Sequence, residues 1–173
     1  MEKVRDRLDV VAAIGLAAGG LFGLAGTFVG DTAGRQVFWA IDGVGIVIAS
    51  ALSTLKYFRR GDDSVAAGFL VLLVGETLVL SGAAAGLEAS VPAFSGGVAL
   101  WSAALALTSA PNTFAVWIRA AAMAAAVLFA ITAIEISIGV KLLPTSAPLP
   151  TLGYPLLVLT FAGWIWTLLR PAG

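Results

Sequence analysis

Six long apolar stretches fill this chain, and few charges interrupt their interiors. Runs of this length and purity are what a bilayer demands: a helix needs about 20 consecutive apolar residues to cross its hydrocarbon core. The spans are expected at about 9–29, 37–58, 65–87, 91–109, 114–138 and 151–169. With 60% hydrophobic and 12% charged residues, a water-soluble fold would have too little polar surface to cover itself. The expected fold class is therefore an all-α membrane protein. Its 173 residues form one transmembrane helical domain, a compact bundle of six transmembrane helices.

The connections are short, which makes consecutive helices antiparallel. Gly30 to Arg35 joins the first pair, Arg59 to Asp63 the second, Ser90 to Pro92 the third, and Ala110 to Thr113 the fourth. The fifth runs from Leu142 to Pro150 and contains three prolines, which favour an extended, semi-rigid segment. The first apolar run, from Val10 to Val29, has the length of a full span rather than of a signal-peptide core, so it reads as a retained helix.

Lysine and arginine set the expected orientation. Lys3, Arg5, Arg7, Lys56, Arg59, Arg60 and Arg170 fall on one side, against Arg35 and Lys141 on the other. The richer side is expected to be cytoplasmic, which places both termini there and the protein in a bacterial inner membrane. Tyr57, Phe58, Trp117, Trp164 and Trp166 fit an inner aromatic belt, and Trp39 and Tyr154 an outer one. Trp101 falls in mid-span and fits neither.

Small residues mark the packing faces. Gly15, Gly19 and Gly23 recur every four residues, with Gly26 and Gly30 continuing the spacing. Gly68, Gly75, Gly82 and Gly86 occupy a narrow arc of the third span. Such ridges let backbones approach in lipid, where no hydrophobic force drives helices together. Helix packing is the plain reading of these ridges. A homo-oligomer face or a membrane partner protein is the alternative, and the bilayer itself is the first partner.

An ionisable group inside a span is costly and is a functional candidate by default. Four qualify: Glu76, Asp42, Arg119 and, more weakly, Glu135. Asp42 shares a face with Gly45, Ile46, Ala49 and Ser53 and so points into the bundle. It reads as a proton or cation site, or as a carboxylate bonding a neighbouring helix. Glu76 is the deepest, about 16 Å from the end of its span. It reads as a protonatable relay or substrate ligand, or as an acid hydrogen-bonded between helices. Arg119 lies on an alanine stripe about 8 Å from its helix end. It reads as an interface anchor, or as an ion-pair partner of Glu76. Glu135 lies sixteen residues further on, rotated about 160° from Arg119, and suits the outer headgroups, with Lys141 nearby. If Asp42, Glu76 and Arg119 converge, they form a polar track through the bundle.

Histidine and cysteine are absent, which removes the commonest general base, metal ligands and thiolate nucleophiles. Lys3, Lys56 and Lys141 all sit at span ends, so none is placed for a mid-membrane Schiff base. No phosphate-binding loop or dinucleotide fingerprint occurs, and no basic stripe suggests nucleic acid. No enzyme activity, metal or cofactor is expected. Three spans per half would make a duplication an inverted one, a common carrier plan. Trp39 shortly before Asp42 and Trp117 shortly before Arg119 offer a weak echo of it, with spacings that differ by one residue. The expectation is a small transporter- or channel-like protein for a small solute or ion, using its buried carboxylates. The alternative is an accessory or scaffold protein that binds a partner, lipid or apolar ligand.

Overall fold

The computed structural model describes residues 7–170. Six helices follow one another: α1 (Arg7–Gly26), α2 (Thr32–Arg59), α3 (Asp63–Ala83), α4 (Val91–Ser109), α5 (Val116–Ser137) and α6 (Leu149–Leu169). Each is long and apolar enough to cross a membrane. Their outward faces carry half-exposed or exposed aliphatic residues such as Ile14, Leu21, Val44 and Val127, as lipid contact requires.

Helix ends differ from the expected spans where polar residues start or stop the chain. α2 begins at Thr32 because Asp31 caps it: its carboxylate accepts from the Gly34 amide at 2.6 Å. Its 28 residues reach about 42 Å, well beyond a hydrocarbon core of about 30 Å. Its ends accordingly carry Arg35, Lys56 and Arg59. Arg35 turns back to donate to the Val29 carbonyl at 2.7 Å. α3 stops at Ala83, and Gly86 then takes a left-handed turn at φ 93° that a side chain would resist. Gly30 and Gly86 therefore lie in turns and pack no helix. The fifth connection is folded rather than extended: Leu143 and Ser146 close a turn around Pro144 and Thr145.

The helices form a closed ring. Each packs on its predecessor and successor, and α1 closes on α6; no other helix pair has backbones in contact. This topology overturns the inverted repeat. A two-fold axis in the membrane plane reverses the order of helices around the ring, so it cannot map α1, α2, α3 onto α4, α5, α6 in chain order. The ring suits three successive hairpins instead.

Glycines set the closest approaches. A methyl on Gly15 would lie 2.5 Å from the Gly45 carbonyl oxygen, and one on Gly45 would lie 2.7 Å from that of Gly15. Gly75 and Gly97 make the same reciprocal contact between α3 and α4, at 3.0 and 2.9 Å. Gly19 and Gly23 also face α2, and Gly68 and Gly82 face α4. Two hairpins thus close backbone to backbone, which is how dispersion contacts accumulate in lipid.

The two ends of the ring interior differ. At the end that holds the start of α1 and the close of α6, aromatic rings fill it. Tyr57 stacks on Phe69 with centroids 5.6 Å apart, Phe69 meets Trp164 at 4.7 Å, and Phe114 contacts both Tyr57 and Trp164. All four side chains are buried. Tyr57 and Trp164 are therefore not belt residues; they cross the interior, while Trp117 and Trp166 remain on the surface. Lys56 and Asp9 pair beside this layer at 2.6 Å.

Candidate functional site

The opposite half of the ring is hollow. Beneath the α1–α2, α3–α4 and α5–α6 connections lies a cavity of about 700 Å³, its open mouth included. Its walls come from α1, α2, α3, α4 and α6, with Pro144 of the α5–α6 connection at its rim. The lining is mostly carbon, with two ionisable side chains from α2 and α3, Asp42 and Glu76.

Asp42 owes its place to the glycine ridge of α1. A methyl on Gly23 would fall 2.7 Å from Asp42 Oδ2, and one on Gly19 would fall 3.4 Å from Oδ1. The carboxylate therefore lies over two residues without side chains. Its α2 face continues through Ile46, Ala49 and Ser53, all buried. Asp42 Oδ1 is buried with no hydrogen-bond partner.

Glu76 projects from α3 into the same cavity. The adjacent Gly75 packs against Gly97 and Trp101 of α4, so the next residue, about 100° around the helix, turns to the ring interior. Glu76 is only 2% exposed, and its Oε2 has no hydrogen-bond partner. An unpartnered buried polar atom costs about 1–3 kcal/mol.

Two aromatic residues complete the polar part of the wall. Trp101 is 5% exposed, and its indole N–H approaches the Glu76 carboxyl without reaching full hydrogen-bond geometry. Tyr154 lines the cavity from α6 and donates its hydroxyl to the Pro144 carbonyl at 2.7 Å, fastening the α5–α6 connection at the rim. Phe129 links the two, with ring centroids 5.3 Å from Trp101 and 5.9 Å from Tyr154. By sequence alone Tyr154 fits an outer belt and Trp101 fits none. Its mid-span position was the signal, since an indole N–H at that depth has no water to bond.

Arg119 does not join this site. Its Nε donates to the Ser109 carbonyl at 2.7 Å, and its two terminal nitrogens donate to the Ala110 carbonyl and the Asn112 side chain. It ties α5 to the C-terminal end of α4, where free carbonyls and the helix dipole favour a cation. The ion pair with Glu76 is excluded because the backbones of α3 and α5 are not in contact and Glu76 lies in the other half of the ring. The polar track through the bundle is thereby reduced to two carboxylates. Glu135 is half-buried near the end of α5 and is not part of the cavity wall. Among the described residues it makes no ion pair with Lys141; the salt bridge found there is Lys56–Asp9. No group of three or more possible metal ligands occurs among the described residues.

No protein-family model, no curated protein and no solved structure matches this chain.

Proposed function

We propose that this integral membrane protein is a small transporter- or channel-like protein that takes up a small solute or ion at Asp42 and Glu76. The observation that carries this reading is the pair of acids from neighbouring helices, each with a buried unpartnered oxygen, facing one cavity. Acids are costly in a bilayer, and facing a cavity is how membrane proteins use them. The bias of lysine and arginine toward the end with the aromatic layer supports reading that end as the cytoplasmic one. In a bacterial inner membrane the cavity then opens outward, and Tyr57, Phe69, Phe114 and Trp164 form the inner gate. Without histidine or cysteine, the chain is read as a carrier and not an enzyme.

The Glu76→Gln variant, reconstituted in liposomes, tests this. Proton-coupled flux is lost while the variant elutes and melts like the wild type. Unchanged flux in a folded Glu76→Gln protein would remove the reading. The closed aromatic layer favours one other function: a dead-ended cavity also serves an accessory protein that holds a lipid or apolar ligand. Such a protein binds its ligand and shows no flux.

A further inference from the structure

We infer that the cavity is built for an organic cation, a substituted ammonium carrying an aromatic or branched aliphatic body. The inference rests on reading the cavity as a solute site and names its substrate class.

Charge gives the first argument. The two carboxyl groups, Asp42 and Glu76, are joined in the wall by no lysine or arginine. An anion would meet carboxylates without a counter-charge. A purely apolar ligand would leave Asp42 Oδ1 and Glu76 Oε2 buried and unpartnered, at the cost such groups carry. A cation gives both carboxylates the counter-charge the wall lacks.

The rest of the wall decides what kind of cation. A bare metal ion asks for six or more oxygen ligands if it is calcium, or a near-octahedral set if it is magnesium. Here the two acids are surrounded by glycine, leucine, valine and aromatic rings. Those surfaces cannot replace a hydration shell, but they suit a hydrocarbon body. Trp101, Phe94, Tyr154 and Phe161 present rings to the same space. Aromatic faces attract ammonium groups through the ring quadrupole, and most strongly when water is excluded. A quaternary ammonium needs no directed hydrogen bond, which fits a wall whose other hydroxyls are bonded within the protein: Thr27 to Leu24, Ser90 to Leu87 and Tyr154 to Pro144.

The test uses the purified full-length protein in detergent and two ligands of one shape, phenyltrimethylammonium and the neutral tert-butylbenzene. Calorimetry is expected to show saturable binding of the cation that tert-butylbenzene does not displace and that exchange of sodium for potassium does not alter. Glu76→Gln is expected to weaken binding about tenfold or more, and the Asp42→Asn/Glu76→Gln double variant to abolish it. Equal binding of tert-butylbenzene, displacement by sodium, absence of saturable cation binding, or wild-type affinity in the folded double variant would each overturn the inference. The two-ligand comparison needs no variant, so it holds even if a substitution unfolds the protein. Liposome flux separates this inference from the transport reading. Cation binding without flux keeps the ligand class and removes transport; proton flux without cation binding does the reverse.

Discussion

The α-carbon of Gly23 lies directly beneath the carboxylate of Asp42, so closely that an added methyl would come within 3.0 Å of both oxygens and their carbon. The atoms it would strike are the tip of a short side chain rather than backbone. Gly23→Ala is therefore expected to leave the fold intact and push the carboxylate out of its seat. The expected outcome is unchanged thermal unfolding with reduced flux and ligand affinity. Loss of stability comparable to a backbone clash would contradict this account.

Gly15 is the contrasting case, because its methyl would meet the Gly45 carbonyl oxygen at 2.5 Å, and backbone cannot swing aside. Gly15→Ala should force α1 and α2 apart and cost about 1–3 kcal/mol, the usual penalty of overpacking. Unfolding in mixed micelles measures it. A stability equal to that of Gly23→Ala would show that the hairpin does not close on this contact.

Arg119→Ala should destabilise the protein by about 1–3 kcal/mol, because the carbonyl of the buried Ser109 loses its donor, while the exposed Ala110 carbonyl can turn to water. Flux per folded molecule should not change. Arg119→Lys should recover part of the stability through its charge at the α4 terminus, without the three-way fork. Reduced flux at full stability would return Arg119 to the transport path.

Tyr154→Phe removes the hydroxyl that holds the Pro144 carbonyl. The expected cost is about 0.5–1.5 kcal/mol, localised in the α5–α6 connection. Hydrogen exchange at the amides of Leu142, Leu143 and Ser146 should quicken, while exchange in α1–α4 stays as it was. Uniform acceleration would mean that the tyrosine supports the whole bundle.

The six helices were legible because span length and purity are one-dimensional quantities. Asp42 could be aimed inward because its neighbours at helical spacing are small, and the same arithmetic set Glu76 beside a glycine contact. That they share one cavity was not legible, since periodicity orients a residue on its own helix and says nothing of which helices adjoin. Arg119 illustrates the limit. Its depth and alanine stripe suited an inward ion pair, but its long side chain turned back to the Ser109 and Ala110 carbonyls and the Asn112 side chain, where α4 ends and the chain turns into α5. Tyr57 and Trp164 show the same effect for aromatics: their depth matched a belt, and only the ring of helices revealed that they face inward.

The ring has a single seam. Five of its six interfaces join consecutive helices, and only α1 against α6 unites elements distant in sequence. As the chain enters the bilayer, each new helix can dock on the one before it at little entropic cost. The curved sheet of five helices that results leaves Asp42 and Glu76 on an unsealed concave face, open to lipid. Leu157, Val158 and Phe161 of α6 supply the missing wall. The cavity is therefore an end product of assembly, and any lesion that keeps α6 from α1 abolishes the cavity while sparing most of the helix pairs around it.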